Sequence, residues 1–260
     1  MPLFPQILIA SFIGSVCALL GGVLLLWREQ FARRVSLLLV SFAIGSLTGA
    51  AFLELIPEAL HEGGLPYTAI APWILVGIFA IFLFEKAVHW YHVHEEADGD
   101  AHEHDERQHN HRSVTAAVLF GDSLHNFIDG IAIALAWSVD AATGITTTIA
   151  VFFHEVPQEI GDFGILLHLG YSRAKVWWYN FWTALTTPIG ATVGYLLLPF
   201  IEGWTPYFLA FAAGSFIYIA VSDLLPELHH HKARRNDVFH LAAIALGVLS
   251  IYFVGEWFHE

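Results

Sequence analysis

His125-Asn126-Phe127-Ile128-Asp129-Gly130 and His154-Glu155-Val156-Pro157-Gln158-Glu159-Ile160-Gly161-Asp162 put imidazoles and carboxylates near the middle of two long apolar runs. Each run is long enough to cross a lipid bilayer. A charged side chain at the centre of a membrane helix costs roughly 2.5–3.5 kcal/mol on insertion scales. Asp122, Asp129, Glu155, Glu159 and Asp162 together would cost about 12–17 kcal/mol if each faced lipid. Interhelical hydrogen bonds in membranes return about 0.6 kcal/mol each, so helix packing alone does not offset that cost. Polar groups at this depth point to an ion pathway.

The rest of the chain agrees with a membrane setting. Of its 260 residues 56% are hydrophobic and 13% charged, and the mean hydropathy is +0.59. That composition belongs to a polytopic membrane protein. Apolar runs at 5–27, 36–60, 72–91, 114–137, 144–169, 175–199, 205–228 and 238–257 predict an all-α integral membrane fold with eight transmembrane helices. The first run has no basic segment before it and no small-residue cleavage site, so it reads as a retained helix. Cys17 is the only cysteine, which excludes a disulfide or a thiolate metal site within one chain.

All eleven basic residues fall in alternate loops or their flanking helix ends. Arg28, Arg33 and Arg34 follow the first run, and Lys86, Arg107 and Arg112 surround the connection between the third and fourth. Arg173 and Lys175 follow the fifth, and Lys232, Arg234 and Arg235 follow the seventh. By the positive-inside rule these loops are cytoplasmic and both termini are outside.

The second and seventh runs repeat one another. Ser41-Phe42-Ala43-Ile44-Gly45-Ser46 and Glu54-Leu55-Ile56-Pro57-Glu58 correspond in register to Ala210-Phe211-Ala212-Ala213-Gly214-Ser215 and Asp223-Leu224-Leu225-Pro226-Glu227. The two helices run in opposite directions across the membrane, so the repeat is inverted, as in many secondary transporters. Helices 1–3 and 6–8 become related halves with 4 and 5 between them, a 3+2+3 arrangement in one transmembrane domain spanning residues 1–260.

Helical spacing gathers the polar residues into stripes. Asp122, His125, Asn126 and Asp129 share a face of the fourth helix; His154 and Gln158 share one of the fifth, with Glu155, Glu159 and Asp162 on the adjacent face. Facing stripes make a cage of imidazole, carboxylate and amide, and mixed nitrogen and oxygen donors suit Zn²⁺. Pro157 removes the hydrogen bond to the Phe153 carbonyl and predicts a break just before His154; Pro188 predicts the same for the Ala184 carbonyl. Asn180, Thr183, Thr186 and Thr187 make the sixth helix polar enough to be a third wall.

Residues 92–112 form a His-rich segment on the cytoplasmic side. His89, His92, His94, His102, His104, His109 and His111 alternate with seven acids around it. With almost no apolar residue it predicts an unstructured loop that receives or senses imported metal. His229, His230 and His231 beside Glu227 extend that exit side, and Glu58, His61 and Glu62 attract cations outside.

The two quoted motifs resemble the signature helices of the ZIP (Zrt/Irt-like) zinc and iron transporters. The resemblance extends over nearly the whole chain and is nearest to the branch with His-Glu-X-Pro-His-Glu-X-Gly-Asp. It implies metal ligands at His125, Asn126, Asp129, His154, Glu155 and Gln158. It also implies an elevator movement of helices 1, 4, 5 and 6 against 2, 3, 7 and 8, and often a homodimer. Gln158 stands where the branch has His, and Thr187 precedes Pro188 where some members have Glu. The residues therefore favour one strong site on His125, Asp129, His154 and Glu155 over a full binuclear centre, with Glu159 joining if the Pro157 kink rotates it inward.

The expected function is import of a divalent metal, Zn²⁺ first and Fe²⁺, Mn²⁺ or Cd²⁺ as competitors, across the plasma or inner membrane. Zinc is then a transported substrate; no cofactor, catalysis or nucleic-acid partner is expected. Three rivals share parts of the pattern. A zinc-dependent intramembrane protease needs His-Glu-X-X-His, but Gln158 takes the fifth place and Pro157 interrupts the turn. An exporter of the cation-diffusion-facilitator type has a His-rich loop but usually six helices and a soluble C-terminal domain. A non-transporting metal sensor or scaffold would share the site and lack only uptake.

Overall fold

Glu155, Gln158, Glu159 and Asp162 sit on a helix that the rest of the bundle surrounds. The computed structural model describes residues 2–95, 103–201, 203–230 and 237–259, and among them every regular element is helical. The first crossing is α1 (Leu3–Ser11), a π-helical turn at Phe12–Val16, and α2 (Leu19–Trp27). The second is α3 (Glu29–Gly49), a π-helical segment at Ala50–Leu55, and α4 (Ile56–Gly63). There follow α5 (Tyr67–Glu95), α6 (Glu103–Val139), α7 (Ala141–His168), α8 (Arg173–Ala184) and α9 (Thr186–Leu197). The chain continues through α10 (Thr205–Tyr218), a π-helical segment at Ile219–Leu224, α11 (Leu225–His230) and α12 (Asp237–His259).

Seven helical stretches are long and apolar enough to cross a membrane: Leu3–Trp27, Val35–His61, Tyr67–Phe84, Val118–Val139, Arg173–Phe200, Thr205–Leu224 and Val238–Trp257. The chain is an integral membrane protein. Each stretch matches one of the eight predicted runs, and the remaining run is α7. Its 28 residues reach about 42 Å at 1.5 Å per residue, ample for a bilayer. It falls short on apolarity alone, because four threonines and the His154–Asp162 motif dilute its hydrocarbon. Burial explains how α7 tolerates them: it packs on α2, α3, α6 and α12.

The His-rich segment is more ordered than composition suggested. α5 continues to Glu95 and α6 begins at Glu103, so 92–95 and 103–112 are helical; residues 96–102 lie outside the described residues. From Glu103 to Arg112 there is neither Gly nor Pro, and Glu, Gln and Arg favour helix, so α6 extends beyond its apolar portion. Pro157 also departs from expectation, since α7 runs through it without interruption. Pro188 acts as predicted. The helix is interrupted at Leu185, between α8 and α9, and the Ala184 carbonyl, deprived of its donor four residues on, accepts from the Ser15 hydroxyl at 3.1 Å.

The repeat seen in sequence recurs in backbone detail. Both repeated helices carry a π-helical segment at the same place, Ala50–Leu55 and Ile219–Leu224, each running up to the proline turn. Their glycines make the same close crossings. A Cβ on Gly45 would lie 2.0 Å from the Ile244 carbonyl oxygen of α12, and one on Gly214 would lie 2.1 Å from the Ile74 carbonyl oxygen of α5. Gly130 and Gly190 form a third crossing, between α6 and α9. There a Cβ on Gly190 would meet the Phe127 carbonyl oxygen at 2.0 Å. Small residues let membrane helices approach to backbone contact. Gly190→Ala must force α6 and α9 apart, and we expect a stability loss of about 3 kcal/mol. A lower Tm of the detergent-solubilised protein is the readout; an unchanged Tm would contradict this crossing.

The glycine contacts divide the bundle. Among the described glycines, every close approach to another helix stays within α1, α2 and α6–α9, or within α3, α5, α10 and α12 together with the Ala50–Leu55 segment. Between the two sets the contacts named by ring geometry are side-chain ones. The rings of Phe42 on α3 and Phe153 on α7 lie 4.3 Å apart between centroids, and those of His154 and Phe216 on α10 lie 6.2 Å apart.

Candidate metal centre

His125 and Asp129 lie one turn apart on α6, and His154 and Glu155 are adjacent on α7. Their donor atoms all fall within 4.8 Å of one another. His125 Nε2 is 3.1 Å from His154 Nε2 and 3.6 Å from both Asp129 Oδ2 and Glu155 Oε1. His154 Nε2 is 2.9 Å from Asp129 Oδ2 and 3.6 Å from Glu155 Oε1. Neighbouring donors around tetrahedral Zn²⁺ with bonds of about 2.0 Å stand about 3.3 Å apart, so these separations match a four-coordinate ion.

The hydrogen bonding also leaves the centre in need of a cation. His154 Nδ1 lies 3.0 Å from the Ala150 carbonyl. A carbonyl only accepts, so Nδ1 carries the hydrogen and Nε2 of a neutral ring turns its lone pair into the cluster. Asp129 Oδ2 lies 2.9 Å from that Nε2, an ion pair when the ring is protonated and two converging donors for a cation when it is not. Among the described residues neither carboxylate oxygen of Glu155 has a hydrogen-bond partner, and the residue is fully buried. From residue 113 to residue 172 the sequence contains no Lys or Arg. Two buried carboxylates and two imidazoles thus converge with no Lys or Arg near them in sequence. His125, 16% exposed, is the most open of the four.

The Asn126 amide and the Gln158 Nε2 are engaged elsewhere. The Asn126 Oδ1 accepts from the hydroxyls of Ser15 at 2.7 Å and Thr187 at 2.6 Å, and its Nδ2 donates to Asp122 Oδ1 at 2.8 Å. Gln158 Nε2 donates to the same Asp122 oxygen at 3.1 Å. Glu159 lies outside the quartet, 1% exposed, with both carboxylate oxygens lacking a hydrogen-bond partner among the described residues. Thr187 therefore braces Asn126 where a second-site Glu would sit, and Thr186 donates to the Ser123 carbonyl at 2.7 Å. This is the polar wall expected of the sixth helix. Ser15 was not anticipated; its signal is a hydroxyl beside Gly14 in an otherwise apolar first run.

A cavity of about 720 Å³ opens beside α7. Gln158, Asp162 and His168 line it from α7, Leu25 from α2, Ser36 and Leu37 from α3, and Asp223 from the second π-helical segment. On the opposite side of the repeat, Glu58 is half-buried and His61 exposed on α4. The side chains of Glu62, of residues 92–112 and of Glu227 and His229–His231 lie outside the described residues.

A model of the ZIP zinc transporter family matches the chain at residues 5–116 and 91–255. The zinc transporter ZIP10 of Danio rerio is 37% identical over 141 residues, 53% of this chain and 17% of that protein. An uncharacterized zinc transporter of Schizosaccharomyces pombe is 28% identical over 88% of this chain and 64% of its own length. Zinc transporter ZIP4 of Mus musculus is 28% identical over 87% of this chain and 44% of its length. The chain thus spans less than a fifth of ZIP10 and under two thirds of the other two. With the family model covering it almost from end to end, this chain belongs to the ZIP zinc transporter family.

Proposed function

We propose that the protein is a secondary transporter, not an enzyme, that imports Zn²⁺ into the cytoplasm through the His125–Asp129–His154–Glu155 quartet. The observation that carries this reading is the convergence of four nitrogen and oxygen donors inside a membrane bundle, with the Glu155 oxygens accepting no hydrogen bond from the described residues. Nitrogen with carboxylate oxygen suits Zn²⁺, and Fe²⁺, Mn²⁺ and Cd²⁺ are the competitors. The family membership and the printed names of the relatives support zinc as the substrate.

In this proposal α7 is the eighth crossing, both termini are outside, and the Lys- and Arg-bearing loops face the cytoplasm of a plasma or inner membrane. Residues 1–260 act as one transmembrane domain, and residues 92–112 are an accessory cytoplasmic segment. Asn126, Gln158 and Glu159, carried over or suggested as ligands, act from the margin of the quartet. Transport proceeds as an elevator: α1, α2 and α6–α9 slide against α3, α5, α10 and α12. The glycine contacts support this division, because each close approach of a described glycine to another helix's backbone lies within one set. Assembly as a homodimer in the bilayer belongs to the same proposal.

The test is uptake by purified protein in liposomes, with Zn²⁺, Cd²⁺, Mn²⁺ and Fe²⁺ in competition. Accumulation above protein-free vesicles, with Zn²⁺ the strongest competitor, is expected; no accumulation of any of the four would refute transport. Deleting residues 96–111 should leave at least half of the uptake, since the quartet lies elsewhere. Complete loss on that deletion would show that the His-rich segment is part of the pathway.

A further inference from the structure

One turn away from the quartet the same two helices meet again, this time through amides. His125 and His154 approach at 3.1 Å. One turn before His125 and one turn after His154, Asp122 and Gln158 also meet at 3.1 Å, with Gln158 Nε2 donating to Asp122 Oδ1. The same oxygen accepts from Asn126 Nδ2 at 2.8 Å. That Nδ2 faces the Asp122 backbone carbonyl as well, at 3.2 Å; a carbonyl only accepts, which fixes the orientation of the amide. Asn126 Oδ1 in turn accepts from Ser15, on the first π-helical turn, and from Thr187 on α9, so both of its lone pairs are used. Ser15, Asn126 and Thr187 have no exposed surface. A directed chain of hydrogen bonds thus runs from the first crossing and α9, through α6, to α7.

We propose that this amide rung, with Ser15, Asp122 and Gln158 as positioning residues, holds α6 and α7 in register so that the quartet keeps its geometry while no ion is bound. The inference rests on reading the quartet as the transport site and deepens it. A transport site is emptied in every cycle, and carboxylates left facing each other repel when ionised. The quartet's donors stand 2.9–3.6 Å apart, a spacing that a small slip of α7 along α6 would undo. The rung opposes that slip, because hydrogen bonds in a buried, low-dielectric setting are stronger than in water. Ser15 and Thr187 fix α6 from its other side by holding Asn126, the neighbour of His125. What the rung needs at position 122 is an acceptor oxygen rather than a charge, and that requirement separates it from a metal-binding carboxylate.

Co²⁺, a spectroscopic stand-in for Zn²⁺, tests the rung in the purified protein. Wild type should show the strong visible absorption of four-coordinate Co²⁺. Outer partners of a metal site typically matter 10–100-fold, so Asp122→Ala and Gln158→Met should each weaken Co²⁺ binding at least about tenfold and reduce that absorption as the donors spread. Ser15→Ala with Thr187→Val should do the same from the far end of the chain. Asp122→Asn keeps an acceptor oxygen for both amides without the charge, and should bind Co²⁺ as wild type does. Gln158→Met nearly conserves volume, which keeps the test open if Asp122→Ala fails to fold; size-exclusion elution and metal-free Tm monitor folding. The proposal is overturned if either Gln158→Met or the Ser15–Thr187 double variant keeps wild-type Co²⁺ affinity and absorption, whatever its metal-free Tm. It is also overturned if Asp122→Asn loses as much as Asp122→Ala, since the charge would then be the essential feature. His154→Ala should abolish the absorption with the rung intact. If it does not, the quartet reading itself fails, and the role of the rung falls with it.

Discussion

His154→Ala protein, reconstituted in liposomes, is expected to accumulate Zn²⁺ no faster than protein-free vesicles, a loss of at least about a hundredfold. Changing residues that merely orient a metal's ligands costs roughly 10–100-fold in affinity or activity, and His154 is proposed as a donor itself. Its Nε2 touches all three other members of the quartet, at 2.9–3.6 Å. Removing it leaves Asp129 and Glu155 facing each other in a buried site with one imidazole. Asp129→Ala should be equally severe, since Asp129 Oδ2 is the nearest atom to His154 Nε2. Loss of fold is separable from loss of binding. An ion present at a hundred times its Kd stabilises the native state by about 2.7 kcal/mol, so Zn²⁺ should raise the Tm of wild type. The His154→Ala protein should elute as wild type does and show no such rise. A variant that retains a tenth of the uptake, or keeps the Zn²⁺-dependent rise, would remove His154 from the site.

The features legible in the sequence are those set by local chemistry. Apolar runs marked the seven helical stretches long and apolar enough to cross a membrane, since hydrocarbon thickness demands about 20 residues. Helical spacing placed His125 with Asp129 and set both against His154, because a helix carries fixed periodicity in its sequence. Pro188 interrupted its helix where the missing N–H required. What the sequence did not disclose depends on partners distant in the chain. Pro157 carries the same chemistry as Pro188, yet α7 continues through it, held by neighbours on several sides. Asn126 matched a ligand motif, but its oxygen belongs to Ser15 and Thr187, 111 and 61 residues away. The His-rich segment looked structureless because it has no core to form, whereas the adjoining membrane helices extend into it. The π-helical segments have no motif of their own; the inverted repeat marks their place only once both copies are in view.

A short cross-link between α3 and α7 should stop transport, and the same link within one set of helices should not. Phe42 and Phe153 face each other across the boundary between the sets, with ring centroids 4.3 Å apart. A direct disulfide needs Cβ atoms about 3.8 Å apart; a short bifunctional thiol reagent tolerates a wider range of separations. In a Cys17→Ser background, because Cys17 is exposed, Phe42→Cys with Phe153→Cys should lose at least tenfold in Zn²⁺ uptake on linking. Uptake should return when a reducible linker is cleaved. The control is Phe4→Cys with Tyr195→Cys, whose native rings lie 4.9 Å apart on α1 and α9, both in the set proposed to move. A link there travels with the helices and should leave uptake within twofold of the unlinked protein. The linker, the chemistry and the ring separations are alike in the two experiments, so relative motion of the sets is what distinguishes them. Normal uptake by the Phe42–Phe153-linked protein would mean that α7 does not slide on α3, and would leave the quartet serving a fixed pathway instead of a moving one.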